Sequence, residues 1–149
     1  MPLGRIRIVI STDGDIVVAR QSGRELAAQI GCSSTDATLI ATAISEVARN
    51  IVVHVGRGEI LLRPIQEAHR YGLVVIARDE GAGIRDLEGA LREEYSARGG
   101  LGLGLSGARR LMDEFEIESS ADTGTTVTMK KWRPRDELAR LREERRRRE

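Results

Sequence analysis

The hydrophobic and polar residues of this chain follow a strand-like period first and a helical period afterwards. From Arg5 to Ile10, charged and apolar residues alternate with a period of two, which is typical of a strand with one buried face. Apolar residues then recur at helical spacing from Ile16 to Ile30. This pattern predicts a helix that starts near Asp13 or Asp15, either of which can cap it, and that ends at Gly31.

A second and longer helix is predicted to follow without a strand in between. Ser34 is its candidate N-cap, and the helical pattern continues to about Val55. The apolar residues lie at i, i+3, i+4, i+7 and i+11, so they share one face. They are Ile40, Ala43, Ile44, Val47 and Ile51. Such a stripe predicts a long helix packed on the core.

Two hairpins are predicted in the second half of the chain. The runs EILLRPI and LVVIARD are separated by the polar segment from Gln66 to Gly72, and this short connection favours an antiparallel pair. The runs FEIESS and TTVTMKKW form the second pair, and a helix of sequence GARRLMDEF precedes it. This order does not repeat the βαβ unit. We therefore expect a two-layer α/β sandwich, a mixed and mostly antiparallel sheet covered by helices on one face.

Composition and charge restrict the class of protein. The chain has 149 residues, of which 40% are hydrophobic and 32% charged, and its net charge is +1, as expected for one soluble domain. No apolar run is long enough to span a membrane and no secretory signal is visible, so we expect a cytoplasmic protein. One cysteine and two histidines argue against structural zinc. The near-neutral charge and the scarcity of aromatic residues argue against nucleic-acid binding.

The charged C-terminus is predicted to lie outside the folded domain. Pro134 is expected to end that domain, so that residues 1–134 form one unit and residues 135–149 an Arg/Glu-rich tail. The alternation of Arg and Glu in the tail favours a solvated, frayed helix over an element that docks a partner.

Glu46 and Asn50 are the first candidates for chemistry. They are four residues apart on the long helix, so they share a face at the border of its apolar stripe. Their oxygens suit Mg²⁺, and the carboxylate could instead take a proton from a hydroxyl. A structural alternative is equally open at this point, because a boundary Glu can pair with Arg49 or Arg20.

Half of the 16 glycines lie between Asp79 and Gly107. In DEGAGI, from Asp79 to Ile84, an acid at a strand end precedes two glycines, which suits either a flat ligand or a tight turn. In GGLGLGLSG, from Gly99 to Gly107, free amides before a helix suit a polyphosphate, although a glycine hinge is the alternative. No strand directly precedes this stretch and no Lys follows it at P-loop spacing, so it matches neither a Rossmann fold nor a P-loop. In the last hairpin, Gly124 is followed by Thr125 and Thr126, which fits a plain turn that leads into a strand.

Taken in order, AISEVARN, DEGAGI, GGLGLGL and GTT resemble the N, G1, G2 and terminal GT elements of the GHKL (Bergerat-fold) ATPase superfamily. Within it, TAISEVARN, ARDEGAGI, GGLGLGLSGARRLMDEF and TTVTMKKW are similar to the switch serine/threonine kinases of bacterial stressosomes, the RsbT type. The resemblance covers about Arg5 to Trp132.

The resemblance implies a site for Mg-ATP. Glu46 is the implied base or orienting group, Asn50 the Mg²⁺ ligand, and Asp79 the acceptor for the adenine amino group. The remaining implied ATP-binding residues are Gly81 and Gly83 beside the adenine, Gly100, Gly102, Leu103 and Gly104 around the phosphates, and Thr125 in support of the adenine contact.

The resemblance also implies an activity and its partners. In the family, Ser or Thr residues of STAS-domain scaffold and antagonist proteins accept the phosphate, and the kinase then activates an output protein such as a PP2C-type phosphatase. Neither nucleic acid nor membrane is an expected partner, and a homodimer is left open. The alternatives are an anti-sigma-factor kinase that sequesters a sigma factor, a histidine-kinase catalytic module, and a nucleotide-gated binding module with little catalysis.

Overall fold

The computed structural model describes residues 4–84, 104–133 and 145. In chain order its elements are β1 (Ile6–Ile10), α1 (Asp13–Gln29), α2 (Ser34–His54), β2 (Gly58–Glu67), β3 (Arg70–Asp79), α3 (Gly104–Leu111), β4 (Glu114–Ser120) and β5 (Gly124–Trp132). The strands form one sheet in the order β1-β2-β3-β5-β4, and each neighbouring pair is antiparallel. The expected α/β sandwich is confirmed, with an antiparallel sheet throughout the described part.

The core lies between the sheet and the helices. The apolar stripe of α2 packs against inward-facing strand residues such as Ile60, Leu62 and Val75, all of which are fully buried. Each such aliphatic side chain contributes about 1.5–3 kcal/mol when it leaves water. Gly23 lets α1 approach α2 closely, because a Cβ at this position would collide with Ile44 Cδ1.

The helix ends differ slightly from the prediction. Thr12, not Asp13 or Asp15, is the N-cap of α1, and Asp15 completes a capping box by accepting the backbone N–H of Thr12. Ser33, one residue before the predicted Ser34, caps α2. Gly31, with φ of +92°, follows the end of α1 as predicted.

Two boundaries in the second half were also wrong. The strands of the first hairpin continue through most of the segment predicted as a connection and turn at Ala68 and His69. The third helix starts at Gly104 and ends at Leu111, and the following strand starts at Glu114. Helical spacing could be read across Asp113 to Phe115, but pairing with β5 makes that segment extended. Among the described residues, no helix combines the length and the apolar character that crossing a membrane requires.

Candidate functional site

Helix α2 places Glu46 and Asn50 on one face, as their spacing predicts. Glu46 is only 7% exposed, more buried than its place at the border of the apolar stripe suggests, whereas Asn50 is half-buried. A buried carboxylate needs partners, because desolvation of an unpaired charge is costly.

Both carboxylate oxygens of Glu46 have a partner. The backbone N–H of Gly104, the first residue of α3, donates to Oε2 at 2.8 Å. The Arg49 guanidinium donates to Oε1 at 3.4 Å, one turn along the same helix. Of the two arginines expected as possible ion-pair partners of Glu46, the structure thus pairs it with Arg49. Arg20 is not among the partners of Glu46 in the described chain. The bond to Gly104 joins α2 to the end of the glycine-rich stretch.

The side chain of Asn50 has an open amide. Within the residues that the structure describes, nothing hydrogen-bonds to it, although it lies one turn from the buried carboxylate of Glu46. Its amide oxygen is a hard ligand of the kind that Mg²⁺ accepts. The described residues contain no cluster of three or more His, Cys, Asp and Glu side chains that could hold a metal ion.

Asp79 ends strand β3 with its side chain buried and fixed. It is 7% exposed, and its Oδ1 accepts the backbone N–H of Gly81 at 2.9 Å and that of Thr125 at 3.3 Å. Its second oxygen, Oδ2, has no hydrogen-bond partner in the described parts of the chain. Two backbone donors therefore orient the carboxylate and leave one oxygen available to a ligand.

The glycines that follow Asp79 permit close packing of the loop. A Cβ on Gly81 would lie 2.8 Å from Cγ2 of Val55, next to the end of α2. Gly83 has φ of +82°, and a Cβ there would lie 2.6 Å from the carbonyl oxygen of Ser120. The loop is thereby held between the end of α2 and the β4–β5 hairpin, as its glycines require.

Ser119 is a site residue that the sequence analysis missed. Its hydroxyl accepts the backbone N–H of Ile84 at 2.7 Å and shares a hydrogen bond of 2.8 Å with the Thr125 hydroxyl. It therefore ties the loop after Asp79 to the last hairpin. Its position was the available signal: Ser119 follows Phe115 and Ile117 at a period of two, so a polar side chain stands on the inward face of a strand.

The glycine-rich stretch is described only at its end. Gly104 has φ of +64° and opens α3, in which Leu105, Ser106, Gly107 and Ala108 are buried. Gly100, Gly102 and Leu103 lie outside the described residues. Of the predicted site residues, the structure thus joins Glu46 to Gly104, and Asp79 to Gly81 and Thr125.

Comparisons with known proteins agree with these motifs. Residues 10–131 match the family model of the histidine kinase-like ATPase domain. The chain is 45% identical over 123 residues to the serine/threonine-protein kinase RsbT of Bacillus subtilis. This match covers 83% of this chain and 92% of that protein. It is 32% identical over 120 residues to an anti-sigma F factor of Bacillus licheniformis, covering 76% of this chain and 81% of that protein.

A solved structure shares the fold. It is the crystal structure of the RsbU and RsbW domains of a protein from Mycobacterium tuberculosis, with a TM-score of 0.58 and 26% sequence identity. The match covers 90% of this chain and 34% of the other, so this chain spans about a third of that structure.

The chain therefore belongs to the family of histidine kinase-like ATPase domains, the GHKL superfamily that the motifs predict. Within this family it is a serine/threonine protein kinase of the RsbT type. The predicted superfamily, fold and enzyme class are confirmed, whereas the roles of the individual residues and the domain boundary at Pro134 stay predictions.

Proposed function

We propose that this chain uses ATP to phosphorylate Ser or Thr residues of STAS-domain proteins and that the phosphorylation changes its partners. The observation that carries the proposal is the pair on α2: a buried carboxylate, Glu46, joined to the first amide of α3, and beside it the open amide of Asn50. The 45% identity to the kinase RsbT supports the same activity.

The adenine half of the site is built around Asp79. Its free Oδ2 is suited to accept the exocyclic amino group, because Oδ1 is already held by Gly81 and Thr125. Gly81 and Gly83 let the loop pack tightly on Val55 and Ser120, and this packing would hold its backbone beside the base. Thr125 supports this contact through its N–H, which orients the carboxylate.

The phosphate half of the site is built from amides and Asn50. The N–H of Gly104 stands at the start of a helix, and with Gly100, Gly102 and Leu103 it would hold the phosphates. Mg²⁺ is usually bound through one or two protein groups together with substrate phosphates, and the open amide oxygen of Asn50 fits this requirement. When bound, the ion neutralises charge on the phosphates.

Glu46 is the proposed base. It would take the proton of the acceptor hydroxyl while that oxygen bonds to the γ-phosphorus and the bond to the ADP oxygen breaks, leaving a phosphoester and ADP. Positioning and charge neutralisation supply most of such catalysis. A buried carboxylate next to Gly104, at the start of α3 where the phosphates would bind, is placed for this role.

The proposed partners follow from the RsbT type. They are STAS-domain scaffold and antagonist proteins of a stressosome in the cytoplasm, with a PP2C-type phosphatase or another output protein downstream. We propose no nucleic-acid or membrane partner. Analytical ultracentrifugation would show whether the chain is a monomer or a homodimer.

Phosphate transfer tests the proposal directly. The purified chain, radiolabelled ATP, Mg²⁺ and a STAS-domain protein from the same organism should yield labelled phosphoserine or phosphothreonine. Asn50→Ala and Asp79→Asn should each abolish most of the label, whereas Asp122→Asn, in the exposed turn before β5, should not. If phosphate transfer is unchanged in both Asn50→Ala and Asp79→Asn, the assignment of these residues to the ATP site is wrong.

An anti-sigma-factor kinase is the second candidate, because the chain is 32% identical to an anti-sigma F factor. Both candidates share the ATP site, so the partner distinguishes them. Capture from the native lysate, with and without ATP, should recover STAS-domain proteins or a phosphatase under the first proposal and a sigma factor under the second. Nucleotide binding without any transfer would instead indicate a nucleotide-gated binding module.

A further inference from the structure

The Gly104 amide has two prospective acceptors. In the structure it donates to Glu46 Oε2 at 2.8 Å, and under the proposed function it also belongs to the phosphate site. A single N–H does not hold a carboxylate and a phosphate equally well, and two anions placed at one donor repel each other. Nucleotide must therefore take this donor from Glu46.

The displaced carboxylate needs a replacement partner. The side chain of Glu46 is only 9% exposed, so water cannot solvate it well, and a buried charge that has lost its hydrogen bond is costly. The other described partner is Arg49, whose Nη1 donates to Oε1 at 3.4 Å, the outer limit of a hydrogen bond. The Arg49 side chain is 47% exposed, so its guanidinium is free to move closer.

We infer that Arg49 is the positioning residue of Glu46: it holds the carboxylate once nucleotide has taken the Gly104 amide. The inference rests on the proposed ATP site. Under this inference, Arg49 affects nucleotide binding only through Glu46. An arginine that contacts the phosphates directly would act without Glu46. Lys would keep the charge but lose the planar fork of the guanidinium.

A double-mutant cycle on the affinity for Mg-AMP-PNP, measured by calorimetry, tests this dependence. Glu46→Ala should bind the analogue more tightly than wild type, because the Gly104 amide is released. Arg49→Met should bind it about fivefold more weakly, because the unpaired carboxylate then keeps that amide. The double variant should match Glu46→Ala, and Arg49→Lys should fall between Arg49→Met and wild type. Arg24→Met, on the exposed side of α1, is the matched control and should match wild type.

The other outcomes are decisive as well. If Arg49→Met lowers the affinity equally with and without Glu46→Ala, Arg49 contacts the phosphates itself. If it lowers the affinity in neither background, Arg49 has no part in nucleotide binding. Both results overturn the inference and leave the proposed kinase activity intact. Wild type that fails to bind Mg-AMP-PNP overturns the proposed function and the inference together. Thermal unfolding checks each variant, and Glu46→Met, which has a similar length but no oxygen to accept the Gly104 N–H, replaces Glu46→Ala if the latter does not fold.

Discussion

The Asp79 carboxylate and the Thr125 amide meet across the β3–β5 pair. The two residues face each other in the strand register, and the N–H of Thr125 donates to Asp79 Oδ1 at 3.3 Å. Because both donors to Oδ1, Gly81 and Thr125, are backbone groups, the position of the carboxylate is set by the fold. Two backbone donors therefore fix Oδ1, and the side chain of Thr125 is not needed for this.

Asp79→Asn should weaken ATP binding without unfolding the chain. Asn keeps an oxygen for the two backbone donors, but its NH₂ group then replaces Oδ2 and confronts the amino group of adenine. A hydrogen bond to a charged group contributes about 1.5–3 kcal/mol, so the Kd for Mg-ATP should rise about 10- to 100-fold. Calorimetric titration measures the affinity, and thermal unfolding should show little change.

Asp122→Asn is the matched control for this substitution. Asp122 is exposed in the turn between β4 and β5, so the change of charge is the same and the site is untouched. If both variants bind ATP like wild type, Asp79 does not contact the adenine.

Ser119→Ala should loosen the loop after Asp79. The substitution removes the acceptor for the Ile84 N–H and the partner of the Thr125 hydroxyl, and these part-buried groups then lack a hydrogen bond. The free energy of unfolding should fall by about 1–2 kcal/mol. Hydrogen exchange at the Ile84 amide should accelerate. Ser120→Ala should not change it, because among the described residues the Ser120 hydroxyl bonds only to Thr123 in its own turn. Unchanged exchange at Ile84 would contradict the role assigned to Ser119.

The apolar pattern was sufficient to predict the layers of the fold. The apolar stripe on α2, which includes Ile40, Ile44 and Ile51, leaves water only if that face of the helix packs on the sheet. All three side chains are 0–1% exposed. Element ends were harder, because a cap depends on which oxygen reaches which N–H. Thr12 and Asp15 bond reciprocally at the start of α1, and sequence spacing alone did not separate Thr12 from the acids that follow it.

The contacts of the candidate site also fall into predictable and unpredictable ones. Asp79 and its glycines are neighbours along the chain, so their proximity was predictable from the order of the residues alone. The bond between Glu46 and Gly104 joins residues 58 positions apart, and that between Ser119 and Ile84 spans 35. Such contacts depend on how α3 and β4 dock, which neither propensity nor periodicity specifies.

Asp15 should make stability depend on acid pH. Its carboxylate accepts the N–H groups of Ser11 and Thr12, each at 2.9 Å, and these bonds, that from Ser11 first, lower the pKa of Asp15 below its ordinary value of 3.8. A lowered pKa in the folded state stabilises the fold above the unfolded value, and this stabilisation is lost as pH falls through the folded value.

Asp15→Asn should therefore be less stable than wild type at pH 7, and the difference should shrink below about pH 4. Urea unfolding of both proteins between pH 7 and pH 3 measures this. Asp13→Asn, in the same turn but without these hydrogen bonds, should show a smaller difference. A gap between wild type and Asp15→Asn that stays constant over the whole range would contradict the assigned cause.

Two glycines of α1 should respond in opposite directions to the same substitution. Alanine is a better helix former than glycine by about 1 kcal/mol, so Gly14→Ala, whose Cβ would lie 3.6 Å from Thr12 Oγ1, should stabilise the chain by up to that amount. Gly23→Ala gains helix propensity but drives its Cβ into Ile44 Cδ1 at the contact between α1 and α2, and the fully buried Ile44 side chain has little room to turn away. Overpacking of this kind costs about 1–3 kcal/mol, so this variant should be less stable than wild type. Urea unfolding of both variants measures the difference. A Gly23→Ala variant as stable as Gly14→Ala would mean that Ile44 turns aside at little cost, so that the contact between α1 and α2 is not tightly packed at this point.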